Sequence, residues 1–429
     1  MHPLELATRT IDSGEITEPT NRVTNELTEL ADGLALVESF SHSAVLATDE
    51  GLVVFDASSA MTGAAVVDSI RTWSDAPISS LVYTHGHADH VGGSFAIAAD
   101  AAARAHDRPT VIAHRRLDAR LDRYRLTNDW SLLINQRQFG GIPSDLGLTL
   151  TDGRTLFIPD ETLRPDVTFD LSHSFTRGDT TIELHHARSE TDDHLWAWLP
   201  EQKWLFSGDF IIWNYPNAGN PQKVQRYAAE WAAALRTMVA QGPELLIPAH
   251  GLPIEGKERI ATVLNDTAAT LESLVEQVIA MMNAGETLDA IVHGIEVPRD
   301  VLDKPYLRPY YDEPEFVIRN IWRLNGGWWD GAASRLKPAR DADLGAEIAS
   351  LVGGPEVLIE RALELVDTDI RLSCHLADLA GWAAPDDAPI HAARSRIYDQ
   401  RRATEPSVMS QGIFRAASRE SSEIAERSR

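Results

Sequence analysis

Thr84-His85-Gly86-His87-Ala88-Asp89-His90-Val91-Gly92-Gly93 follows the apolar run from Ile78 to Tyr83, which reads as a buried strand. Three imidazoles and one carboxylate fall between positions 85 and 90. On a turn leaving a strand, alternate residues share a face, so His85 and His87 point the same way, while Asp89 and His90 belong to the next turn and reach a second point. That geometry suits two metal ions a few ångströms apart. The glycine pair permits close backbone approach before the next helix opens. A lone histidine here would read as a surface residue; four ligand-type side chains at fixed spacing between strand and helix read as a metal cradle.

Outward from this turn, β and α runs alternate. Residues 33–56 hold three short β-rich runs parted by Ser, Asp and Gly turns, and a helical period covers 60–73. A helix over 93–106 and the strand Thr110 to His114 follow the turn, which implies a sheet with helices on its faces. Residues 115–165, richer in Arg, Asn, Gly and Pro, read as a long loop region over a site. Strands are expected at 167–171, 181–187, 195–199, 204–212 and 244–251. Helical periods at 257–283, 287–295 and 346–380 then mark a mostly helical second half. After Ala383 the chain turns Ala-, Arg-, Ser- and Glu-rich, as a surface helix expected to fray. The expected division is 1–255, 256–383 and a polar tail, 384–429.

With 429 residues, 43% hydrophobic and 24% charged, the chain has the size for two or three cores and a composition that excludes general disorder and fibrous architecture. Its 64 acidic against 39 basic residues give a net charge of −25, which argues against nucleic-acid and membrane partners. An anionic substrate would have to be drawn in by a local positive device such as a metal. The N-terminus lacks a basic start followed by an apolar run, and no apolar stretch reaches about 18 residues, so a cytoplasmic protein is expected. The single cysteine, Cys374, excludes an internal disulfide and a Cys-based zinc knuckle, and its apolar helix-like surroundings make it a packing residue.

The pattern His-x-His-x-Asp-His, after a strand and before Gly-Gly, resembles the metallo-β-lactamase superfamily of binuclear hydrolases. The resemblance implies an α/β fold, an αββα sandwich followed here by a mostly helical domain, and further ligands downstream. The family's third metal segment corresponds to 187–191, where Glu190 stands in place of a histidine. Its bridging acid is matched by Ser207-Gly208-Asp209, and its last histidine by Pro248-Ala249-His250-Gly251. The implied centre has one metal on His85, His87 and Glu190 and a second on Asp89, His90 and His250. Asp209 bridges them, and Asp89 and Asp209 are the catalytic carboxylates. His185, His186 and His194 are nearby rivals to Glu190. Two Zn²⁺ per chain are implied, with Mn or Fe admitted by the harder carboxylate ligand. Two such ions against three carboxylates leave one positive charge, and a bridging hydroxide brings the total to zero, which suits a monoanionic ester better than a phosphate monoester.

Two further stretches are similar to the alkyl sulfatase branch of that superfamily. One is Asp209-Phe-Ile-Ile-Trp-Asn-Tyr-Pro-Asn-Ala-Gly-Asn-Pro-Gln-Lys-Val-Gln-Arg226. The other, from Arg308 to Gly331 with its Gly327-Trp-Trp-Asp-Gly331, followed by Leu336-Lys-Pro338, resembles the branch's helical dimerisation domain. The similarity implies a homodimer and a small anionic ester as substrate, cleaved by a metal-activated hydroxide to sulfate and an alcohol. Asn217, Asn220, Lys223 and Arg226 are the polar candidates for gripping sulfate. Trp130, Phe139, Trp213 and Tyr215 are candidate apolar walls, although loop aromatics more often serve packing. Long members of the branch continue into a lipid-carrier-like domain that is not found here, which sets the expectation away from long detergent-like chains. The same scaffold also admits a phosphodiester, lactone or thioester hydrolase, or a metal-poor binding module. A flavodiiron reading is weaker, because His87 stands where a Glu is expected and no flavin domain follows.

Overall fold

Strands Leu34–Glu38, Gly51–Phe55 and Ile78–Val82 are buried along almost their whole length, which is why they read as apolar runs without alternation. The computed structural model describes residues 1–139, 150–151 and 154–427. A seven-stranded sheet runs in the order Glu26–Ala31, Leu34–Glu38, Ser43–Thr48, Gly51–Phe55, Ile78–Val82, Thr110–His114, Val167–Phe169. Its first four strands pair antiparallel and the rest parallel, each parallel step crossing over through helix or long connection. A six-stranded sheet follows in the order Ser172–Arg177, Thr180–His186, Leu195–Leu199, Trp204–Gly208, Leu245–Pro248, Ile254–Glu255.

The two sheets share one core. Leu36, Val53, Phe55, Val82 and Ile112 from the first pack with Ile182, Leu184, Leu195, Phe206 and Ile247 from the second, and Phe55 stacks on Phe206 at 4.1 Å. On the outer face of the first sheet, Val66, Val67 and Ile70 of helix Gly63–Trp73 and Ile97 of helix Ser94–Ala103 cover Val54 and Leu81. Helices Ala228–Gln241 and Lys257–Asn283 pack on one another, the latter also against Leu245–Pro248 and Ile254–Glu255. The architecture is an αββα sandwich followed by a mostly helical region.

The region 115–165 departs from the expected loop. Its described part holds helices Leu117–Leu126 and Asn128–Gln138; residues 140–149 and 152–153 lie outside the described residues. The first helix escapes a periodicity reading because a charged residue, Arg120, shares its buried face with Leu117 and Leu121. The chain divides into two units. One comprises the sandwich, its helices and Ala290–Asn325; the other gathers Gly326–Arg429 with short pieces near 133–143 and 287–289. Within the second, Leu358, Ile359, Ala377, Ile390 and Ile397 form a core of their own. The stretch after Ala383 does not fray as expected. It forms helices Ala388–Ala403 and Val408–Arg427, joined by buried serine contacts such as Ser395 to Ser418 at 2.9 Å, a polar seam that hydropathy does not reveal. No helix among the described residues is long and apolar enough to cross a membrane.

Candidate metal centre

Strand ends deliver every member of the site. Asp56 follows Gly51–Phe55, the histidine turn follows Ile78–Val82, Asp209 follows Trp204–Gly208, and His250 follows Leu245–Pro248. Open α/β sheets gather ligands at such carboxyl ends. Backbone bonds stitch the loops together: Ala57 N–H donates to His90 O, Leu195 N–H to Thr84 O and Ala249 N–H to Gly208 O. At Gly208, φ is +53° and a Cβ would meet His194 Nε2 at 2.7 Å, so only glycine lets the strand deliver Asp209 this deeply.

Two donor groups result. Ligand atoms of His85, His87 and Asp209 lie within 4.8 Å of one another, and so do those of Asp89, His90 and His250. Asp209 Oδ2 joins them, at 3.9 Å from His85 Nε2, 3.5 Å from His90 Nε2 and 3.7 Å from His250 Nε2. Glu190 Oε1 stands 3.5 Å from His87 Nδ1, and Asp89 Oδ2 stands 3.3 Å from His250 Nε2. All seven residues named from sequence are therefore brought to one place. The three rivals to Glu190 are taken up by other contacts, although His194 lies against the His85 ring at 4.4 Å. His194 Nε2 accepts from the Asp209 backbone and its Nδ1 meets Ser189 Oγ, His185 stacks on Trp196, and His186 bonds His194 O while stacking on His114.

The electrostatics call for a cation. Burial pushes His85 and His87 well below the ordinary imidazole range, leaving lone pairs available. Burial opposes charge on His90 as well, but Asp209, Asp56 and Asp89 outweigh it and raise its pKa. Burial likewise lifts Glu190 well above the carboxylate range, with Arg226 opposing and Asp209 and Asp89 adding to the rise. Buried His90 Nε2 and Asp209 Oδ1 have no hydrogen-bond partner among the described residues. Three carboxylates and four imidazoles converging around such orphaned atoms fit divalent metal, which would satisfy them at once.

Several supporting residues are not evident from sequence. Asp56 takes Thr84 N–H and Thr84 Oγ–H at 2.7 Å each and pairs with His90 Nδ1 at 2.8 Å. That bond leaves Nε2 as the ligand atom of His90. Ser41 Oγ also reaches His90 Nδ1, at 3.1 Å. The signal that existed for Asp56 was a carboxylate directly after a wholly apolar strand. Asp56→Asn places an amide N–H₂ against donors, and outer partners of this kind are worth about 10- to 100-fold in metal affinity. Equilibrium dialysis should find that loss with secondary structure intact; an unchanged dissociation constant would remove Asp56 from the support of His90.

The candidate sulfate grips fall in the same quarter. Asn217, buried, donates to Glu190 Oε1, and Arg226, also buried, donates to Glu190 O at 3.0 Å and faces Oε1 at 3.4 Å. Lys223 is half-buried, with its ammonium brought down to about 7 by burial and then by Arg226, and its Nζ is 5.9 Å from the Phe157 ring. Asn220 N–H bonds Asp312. The apolar walls need correction. Trp213 and Tyr215 are wholly buried, Trp213 donating to Leu252 O, and both are packing residues. Trp130 is exposed and Phe139 half-buried.

Comparisons with known proteins agree with this geometry. The model of the metallo-beta-lactamase superfamily matches residues 36–250, and that for alkyl sulfatase dimerisation matches residues 287–423. A linear primary-alkylsulfatase of Pseudomonas sp. (strain ATCC 19151) is 26% identical over 81% of this chain and 68% of its own length. An (R)-specific secondary-alkylsulfatase of Pseudomonas sp. is 23% identical over 83% of this chain and 56% of its own. The chain spans between 51% and 68% of the length of the curated relatives it matches. In fold it is similar to the stereoselective inverting sec-alkylsulfatase Pisa1 from Pseudomonas sp., with a TM-score of 0.80 at 22% identity over 92% of this chain and 66% of that one. With its sandwich, its strand-end cluster of histidines and carboxylates and a family match over half its residues, the chain belongs to the metallo-beta-lactamase superfamily and carries the alkyl sulfatase dimerisation segment later in its sequence.

Proposed function

We propose that this protein is a metal-dependent hydrolase of organic sulfate esters, releasing inorganic sulfate and an alcohol. The observation that carries the reading is the convergence of His85, His87, Asp89, His90, Glu190, Asp209 and His250 beside the buried cation Arg226. In this reading His85, His87 and Glu190 would hold one zinc ion and Asp89, His90 and His250 a second, with Asp209 serving both sets; Mn or Fe would be admitted in place of one of them. When bound, such ions lower the pKa of water toward neutrality and stabilise charge developing on ester oxygens.

The chain's own residues bind and orient the ester. Asn217 and Arg226 hold Glu190 from behind, so its carboxylate keeps one direction. Arg226 Nε and Asn220 Nδ2 are buried donors with no partner among the described residues, suited to sulfate oxygens. Against a net charge of −25, Arg226 supplies the local positive charge that admits an anion, and Lys223, brought down to about 7, adds to it only in its protonated fraction. The relatives' names, primary and secondary alkylsulfatases, favour a sulfate over a phosphate, lactone or thioester.

The test is sulfate release from short and long, primary and secondary alkyl sulfates and from aryl sulfates, with metal counted per chain. Turnover of at least one class, abolished by chelation and restored by Zn²⁺ or Mn²⁺, is expected. Full metal occupancy with no sulfate from any of them, and product from a phosphodiester, lactone or thioester, would replace the reading. We propose further that the helical unit makes a homodimer. Its exposed Leu336, Leu344, Leu351 and Leu372 supply apolar surface within the segment matched by the dimerisation family. Sedimentation of the same preparation at monomer mass would overturn that part.

A further inference from the structure

The turn between strands Leu34–Glu38 and Ser43–Thr48 holds four residues, Ser39 to His42. Three of them are buried and tied. Ser39 Oγ donates to Asn25 Oδ1 at 2.8 Å and receives Ser58 Oγ–H at 2.9 Å. Ser41 Oγ meets His90 Nδ1, His42 N–H donates to Ala249 O at 2.7 Å, and His42 Nε2 meets Gly251 O at 2.8 Å. The turn is thereby fastened to the loops of two ligand histidines, His90 and His250. Its far anchor is rigid as well, since Gly251, at φ +89°, lies so close to the Trp213 ring that a Cβ would fall 2.4 Å from Cδ1.

The fourth residue is Phe40, and it is 47% exposed. Its ring stands edge-on to the His250 imidazole, with centroids 6.3 Å apart and planes at 88°. On the other side of that imidazole, Nε2 faces Asp89 and Asp209. The side chains of His250 and Asp89 are 19% and 25% exposed, so the donor cluster reaches solvent at these two residues, and Phe40 stands beside the first of them. A single exposed aromatic is ordinary on a protein surface. One held by a turn whose other members are all buried, against a ligand histidine at the mouth of the site, has its ordering cost met before anything binds.

We infer that Phe40 is a specificity-determining residue, an apolar wall for the first carbons of the ester's organic group. The inference rests on the sulfate-ester reading and deepens it. An ester whose head group sits at the donor cluster has, beside His250, the uncovered apolar surface of Phe40 against which its carbon chain can lie. Trp213 and Tyr215 offer none there.

The test uses the full metal-loaded chain with Phe40→Ala and Phe40→Leu, metal content being measured for each. The ratio of kcat/KM for decyl sulfate to that for ethyl sulfate is expected to fall about tenfold in Phe40→Ala, chiefly through KM, the scale for losing half-buried contact with a ring. Phe40→Leu should regain most of it. The inhibition or dissociation constant of decanesulfonate, whose carbon–sulfur bond hydrolysis does not break, should weaken by the same factor. An unchanged ratio and unchanged decanesulfonate binding in Phe40→Ala overturn the inference while leaving the sulfatase reading intact. Absence of sulfate release by the unmodified protein sinks the sulfatase reading, and decanesulfonate binding still reports on the wall.

Discussion

Asp209→Asn is expected to lower bound metal by at least half and hydrolysis by at least about 10³-fold, since even outer partners of ligands are worth about 10- to 100-fold. Asp209 is the carboxylate that lies within 4 Å of histidines in both donor groups, His85 on one side and His90 and His250 on the other. Burial works against its charge, but His90 and His250 more than offset that and hold it below the ordinary aspartate range. Asparagine keeps the volume, removes the negative charge of the shared carboxylate and turns an N–H₂ toward nitrogens that already carry protons or must bind metal. In the metal-free protein the substitution removes the attraction of His90 and His250, which outweighs the repulsion from Asp89, so the unfolding temperature measured with chelator should fall, and added metal should raise it less than in the native protein. The pair of readings separates a ligand from a structural residue. Full metal content with unaltered turnover in Asp209→Asn would take the shared carboxylate out of the centre.

The part of this site that could be read directly is the part that is local. His85, His87, Asp89 and His90 occupy one turn, so spacing alone places them, and the apolar strand before them fixes the direction they leave it. Glu190, Asp209 and His250 lie 100 or more residues further on, and only the family pattern linked them to that turn. Of their support, only Asp56 left a trace, as a carboxylate directly after an apolar strand, and nothing in the sequence ties it to His90. Asp56 and His90 are 34 positions apart, Gly86 and Asp193 are 107, and no periodicity connects such pairs. Phe40 was passed over for the opposite reason, since it is one aromatic in a short polar turn and becomes informative only once His250 is seen beside it. Trp213 and Tyr215 show the reverse error, where aromatic residues after the bridging acid suggest a pocket but are spent on packing. Helix Leu117–Leu126 and the packing of the final helical pair, whose stretch read only as a fraying surface helix, were hidden by polar buried faces, through Arg120 in one and Ser395 with Ser418 in the other. In each case hydropathy marks the exposed side and the buried side alike as polar, and the tertiary partner decides.

Arg120 makes the strongest prediction about folding. It is 5% exposed, and its Nε donates to Asp193 Oδ1 at 2.9 Å, while Asp193 Oδ2 takes the Gly86 N–H at 3.0 Å. Gly86 sits between His85 and His87, and a Cβ there would fall 2.8 Å from Arg120 Cδ, so the ion pair is the floor on which the histidine turn rests. Arg120→Met leaves Asp193 as a buried carboxylate without its cation, which costs about 3–5 kcal/mol. In a unit of about 310 residues each kcal/mol moves Tm by about 1.5 °C, so calorimetry should find Tm lower by roughly 5–8 °C. Burial raises the Asp193 pKa, but Arg120 reverses that and holds it below the ordinary value. A depressed folded-state pKa stabilises above the unfolded value and loses that contribution as pH falls through the folded one. Without Arg120, burial dominates and the sign inverts, so the gap between native and variant proteins should be widest at neutral pH and narrow toward acid. Adding Asp193→Asn removes the stranded charge while keeping an acceptor for Gly86 N–H, and should restore most of the lost stability. If the double variant melts no higher than Arg120→Met, the penalty comes from lost packing of the Arg120 stem beneath the turn, and the ion pair is not what holds it.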